Sequence, residues 1–73
     1  MTKLPQITGK MCVKVLKRAG FHIDRQKGSH VIMLKDTPRG RACVPMHGVI
    51  KKGTLHQILV DADLSIDDFL KLL

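Results

Sequence analysis

The apolar residues of this chain change their spacing at Gly20, and this change constrains the fold more than any other feature. Cys12, Val15, Leu16 and Ala19 recur at intervals of three and four residues, which is the period of one helical face. After Gly20, apolar residues alternate with polar ones, which is the period of a strand. Glycine also suits the position just after a helix end. The sequence therefore predicts an amphipathic helix followed by a sheet.

Two turns divide the following segment into three strands. A first strand covers 21–27, the glycine and serine at 28–29 form the turn, and a second strand covers 30–35. Residues 37–40 have the composition of a second turn, and a third strand covers 41–46. Short consecutive strands joined in this way predict an antiparallel sheet.

Hydroxyl side chains mark the predicted starts of three helices. Thr8 precedes the first helix, Thr54 forms a capping box with Gln57, and Ser65 repeats the signature with Asp68. The apolar faces behind the last two starts consist of Leu55, Ile58, Leu59 and Ala62, and of Ile66, Phe69, Leu70 and Leu73. The predicted order α-β-β-β-α-α is an α+β, two-layer fold with helices on one face of a three-stranded sheet. Seventy-three residues make a single domain, 1–73.

The net charge of +7 is distributed unevenly. Residues 1–60 hold twelve Lys and Arg against two Asp, whereas residues 61–73 hold one Lys against four Asp. A basic body of this kind predicts a surface for a polyanion, with RNA or DNA favoured over membrane. A merely solvated basic surface is the alternative. No transmembrane run or signal peptide is recognised, so a cytoplasmic location is expected.

The segment 25–30, Arg-Gln-Lys-Gly-Ser-His, places the imidazole of His30 behind a glycine turn and beside cations. Histidine moves protons near neutral pH, and cations attract phosphate, so the segment suggests ribonuclease chemistry. The expected core side of the first two strands consists of Phe21, Ile23, Val31 and Met33. If these residues face the helices, His30, Ile32 and Leu34 lie on the opposite face. The opposite register, with His30 hydrogen-bonded locally at the turn, is the competing interpretation.

Other residues extend this candidate site. His47 is a second proton carrier or a loop cap, and Ser29 is an auxiliary candidate because it precedes His30. Lys51 and Lys52 lead into the helix start at Thr54, where unpaired backbone N–H groups favour phosphate. The remaining candidates for RNA contact lie on the two turns: Arg25, Lys27 and Gly28 on the first, and Arg39 and Arg41 on the second.

The sequence lacks the residue patterns of several other kinds of functional site. Cys12 and Cys43 occupy positions that the periodicity assigns to packing, which predicts reduced thiols rather than a disulfide or a nucleophile. No zinc-ligand spacing occurs, and Asp24 and Asp36 are isolated, so any nuclease is expected to work without metal or cofactor. Phe21 and Phe69 are the only aromatic residues besides histidine, and both are predicted in the core, which leaves no stacking platform.

Three segments together resemble the HicA family of bacterial and archaeal toxins. They are 25–30 (RQKGSH), 44–47 (VPMH) and 52–59 (KGTL followed by Ile58-Leu59), in this order and spacing. The resemblance extends from the helix exit at Gly20 to Phe69. It implies a fold similar to the double-stranded-RNA-binding domain and an mRNA interferase activity restrained by a HicB antitoxin. The family's catalytic histidine corresponds to His30.

The resemblance and the residues leave some points open. His30 could act as general base on the 2′-hydroxyl or as general acid on the leaving 5′-oxygen. Asp63 stands where the family usually has Gly after the second helix, which predicts a strained left-handed residue there. A non-catalytic module that binds structured RNA, or a protein whose basic face meets an acidic partner, are the competing functions. An oligomeric toxin–antitoxin complex is compatible with the sequence, and no membrane partner is expected.

Overall fold

The computed structural model describes residues 5–36 and 39–73. Its elements are α1 (Gly9–Arg18), β1 (His22–Lys27), β2 (His30–Lys35), β3 (Gly40–Pro45), α2 (Lys52–Asp61) and α3 (Ile66–Leu72). The predicted order is confirmed, with the third strand beginning and ending one residue earlier than predicted. Thr37 and Pro38 of the predicted second turn lie outside the described residues.

The three strands form one antiparallel sheet in the order β1-β2-β3. Val31 and Met33 of β2 and Ala42 and Val44 of β3 are buried in one cluster with the apolar faces of the helices. All helices therefore cover the same side of the sheet, and the α+β fold similar to a double-stranded-RNA-binding domain is confirmed. No helix in the described part of the chain is long and apolar enough to cross a membrane.

Two of the three predicted helix caps are confirmed. The Thr8 hydroxyl accepts a hydrogen bond from the Met11 N–H at 3.3 Å, and the Ser65 hydroxyl accepts one from Asp68 at 3.0 Å. The predicted cap at Thr54 is wrong. The second helix begins earlier, with Lys51 as N-cap, because the chain is already helical where the Leu55 N–H donates to the Lys51 carbonyl at 2.8 Å.

A β-bulge at Asp24 shifts the register of β1 against β2. Ile23 lies opposite Met33, but Arg25 lies opposite Ile32, so Asp24 is the additional residue. Beyond the bulge, Lys27 lies opposite His30. Because directly opposed residues project to the same side of a sheet, the bulge places Arg25 and Lys27 on the face away from the helices.

Two residues predicted on packed faces are exposed. Ile23 pairs with buried Met33 yet is 47% exposed, because it lies on an edge strand while α1 and α2 pack on β3. Cys43 is exposed because it pairs with Ile32 on the outer face, between buried Ala42 and Val44. The alternation of β3 was predicted, but the assignment of Cys43 to packing was wrong.

Candidate active site and nucleic-acid interface

His30 lies on the outer face of the sheet, at the first position of β2. It is exposed, whereas Val31 and Met33 next along the strand are buried, so the competing opposite register is excluded. Gly28, with φ of 61°, occupies the first position of the two-residue turn before it. Left-handed backbone at this position is what tight hairpin turns require and what glycine adopts without strain. The turn therefore delivers the imidazole to the open face.

His47 lies beside His30. The two ring centroids are 6.4 Å apart and the rings are inclined by 75°. The neighbouring backbone explains the proximity: His30 pairs with Pro45, and the Met46 N–H donates to the Ser29 carbonyl at 2.6 Å. This bond continues the β2–β3 ladder by one step, so the next residue, His47, emerges at the hairpin turn. Ser29 thus contributes a backbone carbonyl to this arrangement.

The residues 46–50 form the His47 segment, and this segment is also attached to the rest of the chain at its C-terminal end. The Ile50 N–H donates to the Ile7 carbonyl at 2.9 Å, and Val49 forms an isolated bridge with Thr8. Gly48 has φ of 67°, a left-handed conformation that allows the chain to turn between the two attachments. Only three residues separate Met46 from Ile50, so the position of His47 is tightly restricted.

Helix α1 abuts the same segment through Gly9. A Cβ atom at Gly9 would collide with the Pro45 carbonyl oxygen and lie 2.9 Å from the Met46 Cα atom. The absence of a side chain therefore lets the start of α1 pack directly on the backbone before His47. Sequence patterning missed this contact, because Gly9 precedes the apolar face of its helix and carries no periodic signal.

The structure brings part of the predicted cationic set close to His30. Lys27 is directly opposite it, and Arg25 lies in the next row of the outer face. The Arg25 guanidinium contacts the Asp24 carboxylate at 3.1 Å, an exposed ion pair of small energetic value. The sequence alone did not place either side chain on this face, since a bulge leaves no clear signal in the polar run of residues 24–27.

The start of α2 presents a second group of cations. Lys51, Lys52 and Thr54 are all exposed, and no side chain caps this helix terminus. The amides of its first turn precede the helical hydrogen bonds and lie at the positive end of the helix dipole. Thr54 is thus inside the first turn rather than at its cap. Only three residues separate Lys51 from His47 along the chain.

The remaining predicted cations lie elsewhere. Arg41 pairs with Leu34, four residues from His30 along β2, which corresponds to about 13 Å. Arg39, exposed in the preceding turn, is farther along the same end of the sheet. Both arginines line a groove with Asp61 of α2, whose carboxylate offsets part of their charge. These two residues therefore do not form one patch with His30.

The two cysteines differ in their surroundings. Cys12 is fully buried in α1, and burial raises the pKa of its thiol to about 12, which keeps it protonated. Cys43 is exposed on the outer face, and both are free thiols. Within residues 5–36 and 39–73, no three or more His, Cys, Asp or Glu side chains are grouped to hold a metal ion.

The match to a known protein family identifies the family of this chain. A family model described as "HicA toxin of bacterial toxin-antitoxin" matches residues 9–64. This chain belongs to the HicA toxin family. No curated protein matches the chain.

Family membership makes this HicA protein a toxin component that pairs with an antitoxin. The matched range contains the hairpin turn with His30, the His47 segment and the start of α2. The resemblance inferred from the three sequence segments is therefore confirmed at the level of the family.

Proposed function

We propose that this HicA protein is an endoribonuclease of the mRNA interferase type, with His30 as its catalytic residue. The observation that carries the proposal is the exposure of His30 on an open sheet face, directly opposite Lys27. A proton carrier and a phosphate-attracting cation are thus held side by side by the β1–β2 ladder. The correspondence of His30 to the family's catalytic histidine supports the same role.

The chemistry follows from what RNA itself provides. The 2′-hydroxyl is a built-in nucleophile beside each phosphorus, so the enzyme needs to move protons and stabilise charge rather than supply a nucleophile. Neutral His30 can take the proton of the 2′-hydroxyl, and protonated His30 can give a proton to the leaving 5′-oxygen. Lys27 reduces the cost of the extra negative charge on the phosphate as the 2′-oxygen attacks.

RNA binding is proposed to use two clusters, one beside His30 in the sheet and one that follows His47 along the chain. The first is the hairpin with Arg25, Lys27 and the Gly28 backbone, and the second is the start of α2 with Lys51, Lys52 and Thr54. Arg39 and Arg41 extend the surface to a third phosphate contact region at the other end of the sheet. Phosphate contacts of this type position RNA and make its affinity dependent on salt.

The antitoxin proposed for this toxin is of the HicB type, and its proposed docking face is the outer face of the sheet. Ile32 and Leu34 are only half-buried there, and they follow His30 along the outer face of β2 as far as the row that Leu34 shares with Arg41. A protein that covers these apolar side chains would also cover His30. Inhibition would then require no conformational change of the toxin. We propose that the toxin and its antitoxin meet in the cytoplasm.

The alternative is a module that binds structured RNA without cutting it. The fold itself favours this candidate, because double-stranded-RNA-binding domains recognise shape and phosphates, and fold alone does not establish catalysis. The two functions differ in the role of His30, since binding through lysines does not require an imidazole.

The test is induced expression of the wild type and of His30→Ala in parallel, with growth and total RNA followed over time. We expect growth arrest and fragmented mRNA for the wild type alone, and a circular dichroism spectrum of the purified variant equal to that of the wild type. His22→Ala is the matched control, because His22 is exposed on the same strand pair at the opposite end. Intact RNA with both folded proteins would favour the binding module.

A further inference from the structure

The His30–His47 contact has the dimensions of a two-histidine phosphodiester site. Their ring centroids are 6.4 Å apart with a 75° inclination, and both side chains are exposed. In an in-line transphosphorylation, the oxygen that loses a proton and the oxygen that gains one flank a single phosphorus. Proton carriers must each come within about 3 Å of their oxygen. Two rings separated by roughly twice this distance can serve both oxygens of one phosphodiester.

Backbone hydrogen bonds on either side of His47 keep the two histidines close to one another. The bond from the Met46 N–H to the Ser29 carbonyl joins the residues immediately before His47 and His30, at 2.6 Å. The bond from Ile50 to Ile7 fixes the other end of the segment. Because both bonds are between backbone groups, neither of them uses the side chain of His47. This distinguishes a proton-transfer role of the imidazole from a role in holding the loop.

We propose that His47 is a second catalytic residue, and that His30 and His47 divide the two proton transfers of RNA cleavage between them. This inference rests on the proposed ribonuclease function. One imidazole, neutral, takes the proton of the 2′-hydroxyl as the bond between the 2′-oxygen and phosphorus forms. The other, protonated, gives its proton to the 5′-oxygen as the bond between phosphorus and that oxygen breaks. The products are a 2′,3′-cyclic phosphate and a 5′-hydroxyl.

Cations lie near this pair across the ladder and along the chain. Lys27 lies opposite His30, and Lys51 and Lys52 begin α2 after the His47 segment. They are suited to hold the non-bridging oxygens of the phosphate, which leaves the two ester oxygens for the imidazoles. The arrangement therefore separates charge stabilisation from proton transfer.

The test uses RNA with a bridging sulfur in place of the 5′-oxygen at the bond that the wild type cuts. A thiolate leaves without being protonated, so this substrate no longer needs the general acid. Cleavage of ordinary and 5′-thio RNA is measured for the wild type, His30→Ala, His47→Ala and His47→Gln, with His22→Ala as the control. Circular dichroism checks the fold of each variant.

We expect His47→Ala and His47→Gln to cut ordinary RNA at least about 100-fold more slowly than the wild type, in the range of general acid–base effects. Either His30→Ala or His47→Ala, but not both, should recover to within about tenfold of the wild type on 5′-thio RNA, which identifies the acid. His22→Ala should cut both substrates at the wild-type rate.

Two results would overturn the inference while leaving the proposed function intact. The first is that folded His47 variants cut ordinary RNA at the wild-type rate. The second is that His30→Ala and His47→Ala are both impaired on ordinary RNA and neither recovers on 5′-thio RNA. Failure of the wild type to cut either RNA would overturn the ribonuclease function and this inference together. If His47→Ala does not fold, the rates of His47→Gln decide between these outcomes.

Discussion

Lys27 and His30 are directly opposed in the β1–β2 ladder, on the face of the sheet that the helices leave open. If β1 continued from Ile23 in regular pairing without the bulge, Gln26 would lie opposite His30 and Lys27 would project toward the helices. The bulge thus couples a cation to the candidate catalytic imidazole. Bulges are frequent near functional sites because they redirect side chains in this way.

The first prediction concerns this cation. Lys27→Ala should weaken RNA binding by about 1 kcal/mol, or roughly fivefold in Kd, and lower the salt dependence by about one counterion, because one phosphate contact is lost. Binding is measured by fluorescence anisotropy at several salt concentrations, in the His30→Ala background so that RNA stays intact. Lys71→Ala, an exposed lysine in the acidic last helix, is the charge-matched control and should have no comparable effect. Equal losses for both variants would refute a localised contact at Lys27.

The second prediction concerns the contact between α1 and the His47 segment. Gly9→Ala should lower the free energy of unfolding by about 2 kcal/mol, because its Cβ atom meets the Pro45 backbone, which has no flexible end that could yield. The control is Gly53→Ala, also in the first turn of a helix, where an added Cβ meets nothing within 4 Å. That variant should be stabilised by up to about 1 kcal/mol through its higher helix propensity. Urea denaturation measures both, and a stabilised Gly9→Ala would contradict the close packing.

Sequence patterning predicted the elements of this fold better than the positions of its site residues. The spacing of the apolar residues identified each helix and strand. Alternation along the second strand predicted that His30, Ile32 and Leu34 share one face but left two registers open, and the burial of Val31 and Met33 decides for the outer face. These features depend on local periodicity, which one sequence displays directly. The pattern around Thr54 misled because a capping box can occur inside a helix whose start is decided by backbone geometry.

The proximity of His30 and His47 could not be derived from the sequence. It depends on one ladder bond between Ser29 and Met46 and on the attachment of Ile50 to Ile7, contacts between residues distant along the chain. The bulge at Asp24 was also hidden, since the polar run around it shows no alternation that a register shift would interrupt. The family resemblance identified His30, but tertiary contacts assembled its neighbours.

The third prediction concerns Asp63, which has φ of 56° just after α2. The family usually has glycine at this position, which predicted a left-handed backbone at Asp63. The structure confirms the left-handed conformation. Asp63→Gly should stabilise the protein by roughly 0.5 kcal/mol, and Asp63→Ala should be about 1 kcal/mol less stable than Asp63→Gly, because a Cβ atom disfavours this conformation. Both variants remove the carboxylate, so their difference in urea denaturation reports the backbone alone. Equal stabilities would show that the conformation imposes no strain.

The fourth prediction uses the two thiols as probes of burial. Maleimide should label one thiol per native molecule rapidly, and Cys43→Ser should abolish this rapid reaction. Cys12 should remain unreactive at pH 7 and at pH 9, because burial raises its pKa to about 12 and thiolate is the reactive form. Labelling is followed by mass spectrometry, with urea-unfolded protein as the control in which both thiols react. Rapid labelling of native Cys43→Ser would contradict the burial of Cys12.

The central claim is that RNA cleavage depends on His30. The most direct measurement incubates purified wild type, His30→Ala and His22→Ala with labelled RNA in the presence of a metal chelator, and compares initial cleavage rates. We predict cleavage by the wild type and by His22→Ala, with a cyclic phosphate on the 5′ fragment, and loss of at least about 100-fold for folded His30→Ala. The same products at the same rate from His30→Ala would contradict the account.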